Sequence, residues 1–303
     1  MGKFDYIVIE ASGICEPEPI ARTICSIPMM GEEYVRDGAP LLDCIVTVVD
    51  ALRMRDEFSC AKDLLRGNLD EDDIENLVIE QVEFCNIVLL NKASEVSPEE
   101  LGRIRGIIRA LQPKAGIIEC DFGDVELDRI LDTGLFRYDS VSASAAWITA
   151  VETHMEEDDD DDDDDDDHHH HHHHHDEGEV EEYGIGTYVY YRRKPMDINK
   201  FDDFVAKRWP SGVIRAKGIC YFSDQKDFCY LFEQAGSQVG LKSVGQWYAT
   251  MPEEELGQAL LDDPVLRSDW DPEYGDRMQK IVFIGQHLDR DAIRDALDFC
   301  LDD

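Results

Sequence analysis

Ten consecutive aspartates, Asp158 to Asp167, run straight into eight consecutive histidines, and no packed structure can absorb such a stretch. Like charges repel along it, no apolar residue recurs at a helical or strand period, and its ordering entropy has no burial to offset it. With Glu156, Glu157, Asp176 and Glu177 at its ends, the tract is expected to be a solvated, disordered linker over 141–182. It divides a chain of 303 residues into 1–140 and 183–303, each long enough for one domain, and 43% hydrophobic residues suffice for a core in both.

The formal charge is −39, and residues 151–183 alone hold eighteen acids and no Lys or Arg. The remainder stays near −21, so sequence-independent binding to nucleic-acid phosphate or to an anionic membrane is excluded as a function. Cations, metal ions included, are the favoured partners. No apolar run reaches 18 residues, so nothing spans a membrane as a helix. Nine cysteines are scattered, odd in number and never spaced C-x-x-C, and no signal peptide precedes them, which points to free thiols in a reducing cytoplasm. Cys44, Cys85 and Cys220 lie in apolar runs and read as core residues. Cys15 is set apart by its place after a strand-end loop, where a metal role is the minority reading.

The opening residues FDYIVIEASG, Phe4 to Gly13, carry the β-branched run Tyr6, Ile7, Val8, Ile9, bounded by Glu-Ala-Ser-Gly. This is how a strand buried on both faces of a parallel sheet reads, with Glu10 at its carboxyl end. In open α/β sheets ligands bind at that end, where an acid can hold Mg²⁺ through water and a nearby Gly N–H can face a phosphate. Glu10 and Gly13 are the candidates for those roles; a plain strand end and a plain turn are the competing reading. A second buried strand, NIVLL, runs into Asn91 and Lys92, the usual start of a guanine-recognition loop in which the Asn braces neighbouring loops and the Lys stem covers the base.

Between and after these strands the elements alternate. Pro17 and Pro19 set a turn before a helical stripe of Ile20, Ile24 and Ile27. Leu41 to Val49 reads as a strand, and Asp50 caps the helix that begins at Ala51. Glu71 to Phe84 and Ser97 to Leu111 read as helices, the second opened by Ser97-Pro98-Glu99-Glu100. Gly116 to Cys120 supplies a further strand and Asp124 to Leu131 a closing helix. Beyond Tyr183, strands at 188–191, 213–222, 228–232 and 279–284 mix with helices at 197–208, 252–261 and 289–301, an antiparallel α+β pattern. Aromatics on these strands read as core and cross-strand pairs, and His287 as structural or solvent-facing.

The stretches FDYIVIEASGICEPEPIARTI, CIVTVVDA, IVLLNKA, IIECDFGDVELDRILDTGLF, RAKGICYF and WDPEYGDRMQKIVFIGQHLD together resemble the CobW-type family of metal-chaperone GTPases. They span nearly the whole chain in the family's order. The resemblance implies an α/β fold, a partial P-loop GTPase-type parallel sheet with flanking helices, followed by a smaller α+β C-terminal domain. It implies GTP and Mg²⁺ as ligands, with Glu10 organising Mg²⁺ and the attacking water, Gly13 at the terminal phosphate, and Asn91 and Lys92 framing the base. It also sets Glu119 and Cys120 beside the base. Two departures stand out. Where the family's loop reads Asn-Lys-x-Asp, with the Asp accepting from the base, this chain has Ser94 followed by Glu95, which leaves guanine preference open. The family's GxxxxGK[ST] phosphate loop and Cys-x-Cys-Cys motif do not occur in these residues, so weak nucleotide affinity is expected, and the chain reads as part of a longer enzyme.

The histidine run, His168, His169, His170, His171, His172, His173, His174 and His175, forms with the aspartates a flexible multidentate site for Zn²⁺, Co²⁺ or Ni²⁺. An inert spacer competes with this reading, and members of the resembled family often carry a His-rich tract at this position. A purification tag fits poorly, because the tract is internal and continuous with the acidic run. The leading expectation is a GTP-dependent metallochaperone that delivers a transition metal to a client metalloprotein. A metal-binding or storage protein without a catalytic cycle is the rival, and a nickel-enzyme accessory factor the third reading. Self-association is left open by the sequence.

Overall fold

The computed structural model describes residues 6–13, 15–31, 34–35, 38–58, 72–137, 183–236 and 238–302. The Asp/His tract, Cys60 and the rest of 141–182 lie outside the described residues. Contacts divide the chain into two units, Met1–Ile148 and Thr149–Asp303.

In the first unit three short strands, β1 (Val46–Asp50), β2 (Ile87–Asn91) and β3 (Gly116–Cys120), pair in the order β1-β2-β3, all parallel. Parallel neighbours need crossovers, and helices supply them. Between β1 and β2 run α2 (Ala51–Phe58) and α3 (Asp72–Glu83); between β2 and β3 runs α4 (Pro98–Leu111). The central strand buries Ile87, Val88, Leu89 and Leu90, the continuous apolar run that a strand covered on both faces requires. From α4, Ile104, Ile107, Ile108 and Leu111 turn inward at helical spacing. Its start is a capping box: the Ser97 hydroxyl accepts from Glu100 N–H at 3.2 Å, and the Glu100 carboxylate accepts from Ser97 N–H at 2.9 Å.

The opening run departs from its expected form. Residues 6–12 form no strand, and Ile7, Val8 and Ile9 are 74%, 77% and 62% exposed. The physical reason is the lack of a ladder: among the described residues no strand pairs with this segment, and β1 is left as an edge with Val48 62% exposed. What ties the segment down is side-chain bonding. Tyr6 Oη donates to Asp43 Oδ2 at 2.6 Å, and Asp43 also accepts from the backbone N–H groups of Thr133 and Gly134 at 3.1 and 2.6 Å. Burial, reinforced by the Asp43 carboxylate, pushes the Tyr6 hydroxyl up to about 12. Two further expectations shorten. The strand expected from Leu41 is regular only over Val46–Asp50, and the closing helix expected from Asp124 contracts to a single 3₁₀ turn, Leu127–Arg129. The helix α1 (Pro17–Ser26) begins at the proline, which suits a first-turn position.

The second unit is built on an antiparallel five-stranded sheet of β4 (Ile185–Arg192), β5 (Val213–Cys220), β6 (Phe228–Ala235), β7 (Gln238–Gln246) and β8 (Gln279–Gln286), ordered β4-β8-β5-β6-β7. Its core joins Tyr190, Phe232, Ile281 and Phe283 from the sheet to Phe201 and Phe204 of α5 (Ile198–Lys207). After α6 (Glu253–Asp262) and α7 (Pro264–Ser268), α8 (Arg290–Asp298) adds Ile293 and Leu297. Strands β5 and β8 approach so closely at Gly218 that any Cβ there would strike the Lys280 carbonyl. The aromatics pack as expected: Trp209 lies 5.6 Å from Phe204 and 5.9 Å from both Phe232 and Phe283. His287 is exposed, in a left-handed conformation, its N–H bonded to Gly184 O at 2.7 Å. The strand that sequence reasoning lacks is β7, an edge whose residues are nearly all exposed and which therefore shows no buried periodicity.

Because Phe204 is fully buried against Trp209, Phe204→Ala is expected to cost the second unit about 3–5 kcal/mol. Denaturant unfolding followed by tryptophan fluorescence measures it; a loss below about 1 kcal/mol would contradict this description of the core.

Candidate nucleotide-base site

Strand register brings three residues level at the carboxyl rim of the first sheet, for Asp50 pairs with Asn91 and Asn91 with Cys120. Neighbouring strands stand about 4.8 Å apart, so the rim presents these three positions as one row. Asp50 does two things there. Its Oδ1 accepts from Arg53 N–H at 3.2 Å, the helix cap expected for α2, and its Oδ2 accepts from Lys92 Nζ at 2.5 Å. Burial raises the Asp50 carboxyl, but the Lys92 ammonium together with the Arg53 and Leu52 N–H groups wins and holds it below the usual carboxylate range. The same bond holds the Lys92 ammonium above its ordinary value.

Lys92 sits at φ 59°, ψ 33°, the left-handed region, and opens the 3₁₀ turn Ala93–Glu95. Non-glycine residues rarely occupy that region, at a cost on the order of 1 kcal/mol, and the turn it permits folds Ser94 back towards the loop after β3. Asn91 Oδ1 accepts from Gly123 N–H at 3.0 Å, and the Cys120 thiol stands 3.8 Å away. One amide thus joins the loop after β2 to the loop after β3. The second loop is itself a tight turn, closed by Asp124 N–H to Asp121 O at 3.0 Å, with Phe122 and Gly123 at φ 55° and 69°. Two positive φ values in succession mark a type I′ geometry.

The structure also places the remaining sequence-derived candidates. Glu119 is engaged by the Arg105 guanidinium of α4, and Cys120 is buried among Ile87, Leu89 and Ile118. Burial, with Asp121 and Asp124 nearby, raises the Cys120 thiol. Gly13 lies in a turn whose carbonyl accepts from Gln81 Nε2 at 3.1 Å, as the Cys15 carbonyl does at 3.0 Å. Glu10 is exposed on the segment before that turn. Among the described residues no three His, Cys, Asp or Glu side chains gather to hold a metal ion, and His168 to His175 lie outside them. The rim thus gathers Asp50, Asn91, Lys92 and Cys120 at one end of the sheet, whereas Glu10 stands apart on the exposed opening segment. Sequence reasoning does not single out Asp121, whose Oδ1 accepts from the Ser94 N–H and hydroxyl at 3.1 and 3.0 Å. Its signal was an acid immediately after a strand-end Cys, in a chain whose Asn-Lys loop carries Ser94 where an acid would be usual.

Comparison with known proteins agrees with this architecture. Residues 1–119 match the CobW/HypB/UreG nucleotide-binding domain and residues 185–301 the cobalamin synthesis protein CobW C-terminal domain. Zinc-regulated GTPase metalloprotein activator 1 of Dictyostelium discoideum is 30% identical over 308 residues, which cover 99% of this chain and 60% of that protein. The Schizosaccharomyces pombe protein of the same name is 30% identical over 142 residues, 46% of this chain and 30% of its own length. Zinc chaperone CobW of Pseudomonas aeruginosa is 30% identical over 139 residues, 43% of this chain and 35% of its own. Among solved structures, Zn(II)-bound YjiA GTPase from E. coli aligns with a TM-score of 0.33 at 16% identity, over 95% of this chain and 69% of that one. The present chain spans about 60% of the Dictyostelium relative.

Fold and family models together define the class, an α/β domain of the nucleotide-binding type followed by an antiparallel α+β domain. The chain belongs to the CobW family. Among the described residues no helix is long and apolar enough to cross a membrane.

The Asp50–Lys92 pair gives a pH-dependent expectation. Asp50 has a depressed folded pKa, so its contribution to stability is complete above the unfolded value of 3.8 and disappears as pH falls through the folded value. The stability difference between the wild-type chain and Asp50→Asn should be full at neutral pH and vanish in strong acid. Urea titrations across that range check it, and a difference independent of pH would remove the ion pair from the explanation.

Proposed function

We propose that this chain is the greater part of a GTP-dependent metallochaperone that binds a transition metal, zinc first and Co²⁺ or Ni²⁺ as alternatives, and delivers it to a client metalloprotein. The supporting observation is the level rim of Asp50, Asn91 and Cys120, with Asn91 bracing both loops and Lys92 turned back beside it, in a chain matched at both ends to CobW domains. Relatives whose names specify zinc regulation and zinc chaperoning support the choice of metal.

On this reading Asn91 and Lys92 frame the base, and GTP binding and hydrolysis gate the release of metal. Glu10 and Gly13 keep the roles the resemblance implies, Mg²⁺ with its water and the terminal phosphate, although the described residues build neither contact. Residues 1–140 form the nucleotide domain, 141–182 the linker and 183–303 the domain that meets the client. His168 to His175 gather metal, and the neighbouring carboxylates draw divalent cations in and raise the imidazoles' proton affinity. The cytoplasm is the compartment that suits free thiols and a metal-delivery role.

A storage protein without a catalytic cycle is the second reading. What favours it is the exposure of the segment that carries Glu10, which pairs with no strand among the described residues.

Zinc titration by isothermal calorimetry tests the metal half of the proposal. Several Zn²⁺ ions per chain are expected at neutral pH, with affinity falling steeply as pH drops below about 6 because protonated imidazoles cannot ligate. Deleting His168 to His175 should remove most of the sites. Unchanged stoichiometry after the deletion would end the tract's role as collector. Because no GxxxxGK[ST] loop occurs in these residues, a fluorescent GTP analogue should bind this chain weakly, and tight Mg²⁺-dependent binding would overturn that expectation.

A further inference from the structure

Guanine differs from the other bases in presenting two adjacent donors, N1–H and the exocyclic N2 amine, and a carboxylate is the side chain that accepts from both. The rim loop supplies none at Ser94. Yet Ser94 is not idle there: its backbone N–H and its hydroxyl both donate to one oxygen of Asp121, Oδ1, at 3.1 and 3.0 Å. We propose that Asp121, reaching in from the loop after β3, is the residue that gives this site its guanine specificity. The proposal rests on the nucleotide reading above and assigns its base.

Four observations carry it. Asp121 directly succeeds Cys120, which is level with Asn91 in the ladder, so its carboxylate starts from the same rim. The two Ser94 bonds converge on one oxygen from across the loop gap and orient the carboxylate plane, as a recognition group needs. The turn that carries Asp121 is pinned by Gly123 N–H to Asn91 Oδ1 at 3.0 Å, so Asp121 cannot drift independently of the Asn-Lys loop. Among the described residues nothing donates to Asp121 Oδ2, and the lone pairs of that oxygen remain for a ligand. Two other acids of the rim are already employed, Glu119 by Arg105 and Asp50 by Lys92, which leaves Glu95 of the Asn-Lys loop as the rival acceptor.

The same turn explains a costly feature. Phe122 is 98% exposed and held at φ 55°, an aromatic ring in water on strained backbone. Beside a base site that ring offers a stacking face, and stacking favours every base alike. Asp121 and Phe122 therefore make separable contributions, one selective and one general.

The test uses the 303-residue chain with GMP, XMP and AMP as probes, titrated by NMR to millimolar concentration. Wild type should bind GMP about tenfold or more tightly than XMP or AMP, the order of loss when a buried edge meets the wrong partner. Asp121→Asn keeps an acceptor for Ser94 but presents an amide donor to the base. Xanthine has a carbonyl where guanine has its amine, so this variant should invert the preference towards XMP. Phe122→Ala should weaken all three without altering their order. If Asp121→Asn retains the preference for GMP while Glu95→Gln loses it, the acceptor is Glu95 and the proposal is overturned. Wild type binding the three nucleotides alike also overturns it. Should none of them bind at millimolar concentration, the nucleotide reading itself fails and this assignment falls with it.

Discussion

The first unit depends on one ladder, the five consecutive pairings that lock β2 to β1 on one side and to β3 on the other. A parallel register slipped by one residue would turn every side chain to the other face and break the close packing of the buried β2 run. The rim is a product of that register: Asp50, Asn91 and Cys120 end level, and the loops beyond them start from common ground. Asn91 then converts a level start into a fixed distance by holding the Gly123 N–H, while Lys92 is drawn back to Asp50. The left-handed conformations at Lys92 and Phe122 persist only because these bonds over-determine both turns.

Among the described residues the same ladder leaves one edge open. The outer edge of β1 exposes Val48, and the run Ile7 to Ile9 lies unpaired in water. Burying such side chains is worth about 1.5–3 kcal/mol each, so a strand position on this edge would be strongly favoured by any segment able to supply the ladder. In the second unit the contrasting case is β8, flanked by β4 and β5 and buried from Gln279 to Gly285. A strand with two neighbours needs no further partner, as β2 also shows, and it is the edge strand β1 that leaves apolar surface exposed in the first sheet.

Legibility tracked burial. Strands β2 and β3 and helix α4 were readable because each has a dense apolar pattern and an explicit stop or cap, Ser97 with Glu100 being the clearest. The capping role of Asp50 was readable for the same local reason. The opening run misled because composition reports that residues can be buried in a strand and says nothing of whether a partner strand exists. The edge strand β7 was invisible for the converse reason, having backbone pairing but no buried face. At the rim, Asn91 and Lys92 stood out as a contiguous motif. Asp121 did not, since it is near Ser94 only through the ladder and one amide bond, 27 positions away in sequence.

Charge decides what kind of grip this rim can have. Outside the Asp/His tract the chain still carries about −21, yet beyond roughly 8 Å that field is screened at physiological salt, so a polyphosphate answers to the donors nearest it. At the rim the Lys92 ammonium is engaged by Asp50, as the Arg105 guanidinium is by Glu119. The charge of Lys92 is thereby committed to a carboxylate. Asp121 would repel a phosphate while attracting the donor edge of a base. On the proposed reading, the local electrostatics favour recognising the nucleoside over holding its phosphates, and a divalent metal carried by a nucleotide would meet acids that repel the bare polyanion.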